Sequence, residues 1–242
     1  MITEYDQIIN QIDKINPIKY SSNRNFIDGS VSKLSPYISR GVISTRQVLN
    51  YLLEKGFEIN KIEKFIQELS WRDYWQRIWQ EKNIDVSIKH AQENVFQKGI
   101  SQNILDANTS IFSIDKAINE LYNTGYMHNH LRMYVAALAT NIAKSEWKIP
   151  AHWMYYHLLD GDWASNALSW QWVCGANSNK IYIANQDNIN RYTYSSQQNT
   201  FLDTSYECIM EMDIPTQLTT MSNEVRITPL PKSDIFEIDY KK

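Results

Sequence analysis

The sequence predicts an all-α protein. Gly and Pro are scarce, with seven and six in 242 residues, so few tight turns interrupt the chain. Apolar residues recur at helical spacing over most of its length, and regularly spaced strands with hairpin turns are not evident. Hydrophobic residues make up 43% of the chain and include eight Trp, fifteen Tyr and seven Phe, which is enough for a sizeable core.

Three helices are predicted in the first third of the chain, over residues 4–16, 36–55 and 61–83. The second helix is expected to begin at Ser35 and Pro36, an N-cap residue followed by a proline suited to the first helical position. In the third helix, apolar residues at i, i+4, i+7 and i+8 predict a stripe that faces the core. These residues are Trp71, Trp75, Ile78 and Trp79.

Four more helices are predicted over residues 113–123, 128–145, 151–159 and 163–174, separated by clusters of Asn, Ser, Gly and Asp. From Asn199 onward the periodicity weakens, and three prolines interrupt any regular element. We therefore predict a helical domain over residues 1–200. The remaining residues, 201–242, are expected to form an irregular C-terminal extension with a short strand over residues 224–228.

Two polar patterns interrupt the apolar periodicity, GYMHNHLRM at residues 125–133 and DGDWASNALSWQW at residues 160–172. In the first, Asn129, Arg132 and Met133 share one helical face, which a surface stripe of an amphipathic helix would also explain. In the second, Asp160 and Asp162 stand at a helix start, where the macrodipole favours negative charge. Because capping needs only one carboxylate, the second one indicates a functional site.

The second pattern resembles the flavin-contact segment of the DNA photolyase and cryptochrome family. Four other segments resemble motifs of that family in order and spacing. They are YSSNRNF at residues 20–26, GSVSKLSPYISRGVIS at 29–44, ELSWRDYW at 68–75 and TGYMHNHLRM at 124–133. Five ordered motifs are far more specific than any one of them. The resemblance covers roughly residues 20–175 and implies the helical FAD-binding domain of the family.

By resemblance, the cofactor is FAD. The residues implied in binding it are Tyr20, Ser32, Lys33, Leu34, Ser35, Arg132, Asp160, Asp162 and Asn166. The free amides of a helix that starts at Ser35 suit a pyrophosphate oxygen, although a plain capped helix explains this turn when it is taken alone. Val31 and Lys33 stand where the family has Thr and Arg, which removes a hydroxyl and replaces a bidentate fork with a point charge. Asn166, implied to lie at the flavin N5, favours the reduced, repair-competent flavin.

The resemblance also implies a pocket for a damaged dinucleotide that is flipped out of DNA. The residues implied in the chemistry are Glu68, Asn129, Met133 and Asn166. Those implied in DNA or lesion contact are Arg24, Glu68, Trp71, Arg72, Asn129, His130 and Trp172. Asn129 and Met133 match enzymes that act on cyclobutane dimers, since enzymes for the (6-4) photoproduct carry His there. His130 replaces an Arg beside the DNA backbone, which removes a permanent positive charge.

Two tryptophans, Trp170 and Trp147, match the first members of the family's tryptophan chain, which carries an electron from the surface to the photoexcited flavin. The third is expected within residues 85–99, which contain Phe96 but no Trp. We therefore expect photoreduction to be slow or to pass through another aromatic residue. The alternatives are Trp153, Trp163 and Tyr156. Core packing also explains any single buried indole.

The predicted function is FAD-dependent, light-driven splitting of cyclobutane pyrimidine dimers in damaged DNA, by electron transfer from reduced flavin. Two alternatives remain open: a cryptochrome-like photosensor without repair activity, and a flavin-binding subunit that needs a separate α/β partner. Only residues 1–19 precede Tyr20, too few for a βαβ unit. We therefore expect neither an antenna domain nor an antenna chromophore within the chain.

Composition excludes several other classes of protein. The formal charge of -3 argues against indiscriminate nucleic-acid binding, so DNA would contact a local patch. Cys174 and Cys208 are isolated and lack metal-ligand spacing, so we expect free thiols and no metal site. The N-terminus lacks a secretory signal, and no apolar run is long enough to span a membrane. A cytoplasmic protein is expected.

Overall fold

The computed structural model describes residues 2–224, and the backbone of this part is predominantly helical. The helices, in chain order, are α1 (Tyr5–Asp13), α2 (Pro17–Asn23), α3 (Ser35–Ser39), α4 (Thr45–Glu54), α5 (Glu63–Glu81), α6 (Gln102–Leu105), α7 (Phe112–Thr124), α8 (Asn129–Ala137), α9 (Lys148–His157), α10 (Trp163–Val173), α11 (Gln186–Thr193) and α12 (Tyr206–Glu211). A π-helical segment, Leu138–Ile142, continues α8, and short 3-10 turns span Ile59–Lys61 and Thr216–Leu218. The all-α prediction is confirmed.

Two separate hydrophobic cores divide this part of the chain into an N-terminal and a C-terminal lobe. In the N-terminal lobe, α1 contributes Ile8 and Ile12, and α4 contributes Val48 and Leu52. Each pair is spaced four residues apart and so lies on one helical face, which leaves the other faces to solvent. The C-terminal core is larger and includes buried residues from α7, α8, α9 and α10.

Helix α5 joins the two lobes. Phe65, near its start, is buried in the N-terminal core, whereas Trp75 and Ile78 pack against the C-terminal core. The same helix runs along α10. The predicted core stripe on α5 is therefore wrong in part, because Trp71 and Trp79 are 42% and 47% exposed. Periodicity identified the helix, but its apolar residues are divided between two lobes and the solvent.

Local signals fix the ends of the helices where the lobes meet. Gly125 ends α7 in the left-handed conformation, with φ of 70°. A Cβ atom at this position would lie 2.5 Å from Leu159 Cγ, so both the backbone and the space require glycine. Asp162 is the N-cap of α10, and its side chain accepts a hydrogen bond from the Ala164 amide at 3.2 Å.

The single helix predicted over residues 36–55 is two helices in the structure. Gly41, with φ of 70°, lies in the turn after α3, and a capping box of Ser44 and Gln47 begins α4. The apolar periodicity does not predict α2, although Asn16 caps it and Pro17 stands in its first turn. The pattern also misses α11, a polar helix with a short buried face.

Residues 201–224 pack onto the C-terminal lobe, where Leu202, Ile209 and Leu218 are part of its core. A short antiparallel pair joins β1 (Ile100–Ser101) to β2 (Met221–Ser222). The domain boundary at residue 200 stays a prediction, and the strand expected over 224–228 lies, apart from residue 224, outside the described residues. Among the helices of residues 2–224, none has the length and apolarity needed to cross a membrane.

Candidate functional site

An ion pair of the C-terminal lobe, between Arg132 of α8 and Asp160 just before α10, lies where the two lobes meet. Arg132 Nη2 donates to both carboxylate oxygens of Asp160, at 2.9 and 3.0 Å, and its Nε donates to the Met127 carbonyl at 2.8 Å. Asp160 is only 8% exposed. Burial alone would raise the pKa of Asp160, but Arg132, a hydrogen bond with the Ser35 side chain and Arg72 together lower it. The carboxylate is therefore ionised at neutral pH.

Contacts across the lobes define what we call the interlobe site, formed by Ser35, Arg72, Arg132, Asp160 and Asp162. Ser35 belongs to the N-terminal lobe, and its side chain reaches Asp160 of the C-terminal lobe. Arg40, also in the N-terminal lobe, donates to the Leu159 carbonyl. Residues 159–162 of the C-terminal lobe therefore lie at the contact with the N-terminal lobe.

The predicted phosphate turn differs in detail from the expectation. Ser35 is the first residue of α3, and the N-cap position belongs to Leu34, which is fully buried. Ser32 accepts a hydrogen bond from the Leu34 amide at 3.4 Å. Lys33 has a left-handed backbone, with φ of 54°, and its ammonium lies 5.7 Å from the centre of the Tyr126 ring. The turn therefore presents an exposed lysine from a conformation that glycine usually occupies.

The second acidic residue, Asp162, accepts three hydrogen bonds from protein donors. Besides capping α10, it accepts from Gln76 Nε2 at 2.6 Å and from the Ser165 hydroxyl at 2.6 Å. Arg72 Nη2 lies 3.5 Å from Asp162 Oδ2, the oxygen that also accepts from Ser165. Sequence reasoning missed Gln76, although it is one helical turn beyond Arg72 and therefore on the same face of α5.

Two polar side chains next to these contacts differ in whether their hydrogen-bond donors have partners. Arg72 Nη2 is buried and has no hydrogen-bond partner among residues 2–224, since its contact with Asp162 is an ion pair and not a hydrogen bond. Asn166 uses its amide nitrogen to donate to the Ala151 carbonyl at 2.8 Å. Within the described part of the chain, the site thus holds a buried cationic donor without a hydrogen-bond partner and an amide fixed by the main chain.

Tyr20 and Glu68 lie together at the N-terminal lobe. The Tyr20 ring packs edge-on against Phe65, with centroids 5.0 Å apart, and burial raises the pKa of its hydroxyl. Glu68 is paired with Lys64 at 3.1 Å and with Arg24 at 3.6 Å. The predicted lesion contacts Arg24 and Glu68 are therefore an ion pair here.

The residues predicted to receive a lesion are partly exposed. Trp71 and Trp172 are each 42% exposed, Asn129 is exposed, and Met133 is half-buried. Trp172 also packs against Tyr182, with ring centroids 6.0 Å apart. Large exposed indoles are unusual in a stable surface and offer ring faces to a ligand.

The structure buries His130, which is predicted to lie beside the DNA backbone. It is 7% exposed, with Nδ1 2.9 Å from the Asn25 carbonyl and Nε2 3.1 Å from the Tyr182 hydroxyl. Its ring lies 4.5 Å from those of Tyr134 and Tyr192. Burial lowers the pKa of His130, so the ring is neutral at pH 7. In this arrangement it offers no charge to a phosphate.

Both predicted electron-transfer residues are buried, Trp147 at 3% and Trp170 at 2% exposure. A cavity of about 670 Å³ opens elsewhere, between α7 and residues 193–197. None of the predicted flavin-binding residues lines it. The functional assignment therefore depends on the interlobe contacts and not on that cavity.

Comparison with known proteins agrees with this geometry. Residues 65–212 match a family described as the FAD binding domain of DNA photolyase. The chain is 28% identical over 177 residues to the deoxyribodipyrimidine photo-lyase of Alkalihalophilus pseudofirmus, covering 67% of this chain and 35% of that protein. It is 31% identical over 168 residues to a deoxyribodipyrimidine photo-lyase of Thermus thermophilus, covering 65% and 38%. The matches thus span about a third of the length of these relatives.

Solved structures with the same fold include both branches of the family. A Synechocystis cryptochrome matches with a TM-score of 0.70 and 20% identity, covering 79% of this chain and 44% of that one. A class III photolyase from Agrobacterium tumefaciens matches with a TM-score of 0.59 and 25% identity, covering 78% and 44%. The family match and the fold together define a flavin-domain protein of the photolyase type. The chain belongs to the DNA photolyase and cryptochrome family, and it corresponds to the FAD-binding domain of that family.

Proposed function

We propose that this chain binds FAD at the interlobe site and uses it in light-driven splitting of cyclobutane pyrimidine dimers in DNA. The observation that carries the proposal is the ion pair in which Arg132 Nη2 donates to both oxygens of Asp160, which also has a hydrogen bond with Ser35 where the two lobes meet. Family membership supports the cofactor, and relatives named deoxyribodipyrimidine photo-lyase support the lyase activity.

The residues of the site fit an anionic cofactor rich in acceptors. Arg72 Nη2 is a buried charged donor without a hydrogen-bond partner in the described part of the chain, and a phosphate or ring carbonyl oxygen would satisfy it. Lys33 adds an exposed cation beside Ser35. Tyr20, Ser32, Leu34, Asp162 and Asn166 complete the set that would hold FAD.

Reduced FAD, when bound, supplies an excited-state electron to the dimer and recovers it after the cyclobutane bonds break. The protein residues have a different task. The ionised Asp160 and the cationic Arg132 neutralise one another, so the buried charges do not need solvent. The Asn166 amide does not titrate near neutral pH, and its hydrogen bond to Ala151 fixes its orientation.

Lesion binding is assigned to the exposed indoles. Stacking of one base on an aromatic side chain contributes about 1–3 kcal/mol. Trp71 and Trp172 are each 42% exposed, and each packs one side against a neighbouring ring, Trp75 and Tyr182 respectively. Glu68 and Asn129 would supply hydrogen bonds, and Met133 an apolar wall, to a dinucleotide that has left the duplex.

The test compares two exposed tryptophans. FAD-reconstituted protein, reduced and illuminated with dimer-containing DNA, should restore intact pyrimidines. Trp172→Ala should lose most of this activity and keep its flavin absorbance, whereas Trp79→Ala, which removes an indole of similar exposure, should keep both. Colourless protein after reconstitution would refute FAD binding. Bound flavin with no repair of either single-stranded or double-stranded substrate would refute the lyase activity.

One observation favours the photosensor as a second candidate function. His130 is neutral, buried and bonded at both ring nitrogens, where the family places an arginine beside DNA. A sensor that binds flavin without binding DNA would not need that charge. Repair itself separates the two functions: a repair enzyme restores intact pyrimidines in the light, whereas a sensor photoreduces its flavin and restores none.

Electron supply to the flavin is assigned to Trp170 and Trp147. Both are buried in the C-terminal lobe, away from solvent. Phenylalanine at either position should slow photoreduction while retaining the flavin. If both variants photoreduce like the parent, these two residues only fill the core.

A further inference from the structure

Trp147 is in contact with a second indole that reaches the surface. The Trp147 and Trp163 rings are stacked, with centroids 6.5 Å apart and planes 26° from parallel. Trp147 is 3% exposed, whereas Trp163, the first residue of α10, is partly exposed. An electron that leaves Trp163 would therefore cross only the contact between the two rings to reach the buried Trp147.

The surroundings of Trp163 suit an indole that becomes oxidised. Its Nε1 donates to Asp85 Oδ1 at 2.9 Å. An oxidised indole is positively charged and its N–H is much more acidic, so a carboxylate at this distance both stabilises the charge and accepts the proton. Asp85 is exposed, so it can pass the proton on to water.

Two other groups face the same ring. His152 stacks on Trp163, with centroids 4.1 Å apart and planes 19° from parallel, and Tyr155 lies 5.5 Å away at 68°. Partial burial lowers the pKa of His152, Asp85 opposes this shift and Lys148 adds to it. A neutral imidazole does not repel a positive charge on the indole. His152 therefore does not oppose the stabilisation of oxidised Trp163 by Asp85.

The alternative indole, Trp153, lacks these features. It is fully buried, and its Nε1 donates to the Tyr122 hydroxyl at 3.0 Å. A phenol is a neutral partner and a poor base, so it neither stabilises a positive indole as a carboxylate does nor takes its proton. Nor does a buried ring give an external reductant access.

We propose that Trp163 is the exit of the electron path in this chain and that Asp85 is its proton acceptor. The inference rests on the proposed function, because photoexcited oxidised flavin is the oxidant that leaves a positive hole on Trp147. One electron then passes from Trp163 to Trp147, and the Nε1 proton of Trp163 moves to Asp85. An external thiol returns a hydrogen atom to Trp163, and Asp85 releases its proton to water. The thiol is thereby oxidised by one electron for each electron gained by the flavin.

The experiment uses the full chain reconstituted with FAD, a thiol reductant and transient absorption or spin resonance. Trp163→Phe should abolish the long-lived indole radical and most thiol-dependent photoreduction, while the amount of bound flavin stays the same. Asp85→Asn should keep charge separation but leave the radical protonated, a spectroscopically distinct species. Trp79→Phe is the matched control, since it removes an exposed indole on α5.

The outcomes separate this inference from the proposed function. Protein that binds no FAD overturns both. Protein that binds FAD and photoreduces more slowly as Trp147→Phe, but normally as Trp163→Phe, overturns only the assignment of Trp163. A neutral radical that forms equally fast in Asp85→Asn overturns the role of Asp85. Radical loss in Trp163→Phe together with a persistent cation in Asp85→Asn supports the whole path.

Discussion

Replacing Arg132 with Ala tests the ion pair at the centre of the interlobe site. The change removes two hydrogen bonds to Asp160, at 2.9 and 3.0 Å, and one to Met127, at 2.8 Å. Breaking a buried ion pair from one side costs about 3–5 kcal/mol. Because 21% of the Arg132 side chain is exposed, we expect a loss of about 2–4 kcal/mol. For a protein of this size, that lowers Tm by about 4–15 °C.

The pH dependence of stability gives an independent result for the same variant. In the parent, the folded pKa of Asp160 is lowered, so its contribution is present at neutral pH and is lost as pH falls below about 4. In Arg132→Ala, burial still raises the pKa of Asp160, and of the groups that lower it only Ser35 and Arg72 remain. The pKa of Asp160 in the folded variant is therefore higher than in the folded parent. The variant should recover stability, relative to the parent, as pH falls below neutral.

Thermal and urea unfolding of the flavin-free protein, followed by circular dichroism, measures both effects. Arg77→Ala, which removes an exposed arginine of α5, is the control and should change Tm little. Adding Asp160→Asn to Arg132→Ala should restore part of the loss, because it removes the unpaired buried charge. A loss below about 1 kcal/mol with an unchanged pH slope would show that Asp160 is well solvated, contrary to the reasoning.

Other substitutions test single contacts, each by urea unfolding. Gly125→Ala should cost about 1–3 kcal/mol, because φ is 70° and the new Cβ would clash with Leu159; a neutral effect would contradict this geometry. Gln171→Ala should cost about 2–4 kcal/mol, because this fully buried amide holds residues 84–88 through three hydrogen bonds. Asn166→Asp should destabilise at neutral pH and recover in acid, since a carboxylate repels the Ala151 carbonyl; equal stability at both pH values would argue against that contact.

Local sequence signals were enough for the fold class and for most helices. Apolar residues spaced four apart predict α1 and α7, and they predict α4 as part of one longer helix. The ordered motifs single out Arg132, Asp160 and Asp162 as a set. The same signals fail where one element serves two environments. Helix α5 carries three indoles spaced four residues apart, which periodicity assigns to a single core stripe, whereas the structure exposes Trp71 and Trp79.

Long-range packing decided what the motifs could not. Arg132 and Asp160 are 28 residues apart, Asp85 and Trp163 are 78 apart, and His130 and Tyr182 are 52 apart. Helical spacing shows which side chains share a face, but two faces meet only through the packing of whole helices.

The sequence by itself determined the all-α class, because helix formation and capping depend on neighbours within a few positions, and its ordered motifs identified the flavin domain by resemblance. Only the tertiary structure decided that His130 is buried and neutral, that Gln76 shares Asp162 with Arg72, and that Trp163 stands between Trp147 and Asp85. Burial and pairing set the charge and the oxidation chemistry of a side chain, and both are properties of the packed molecule.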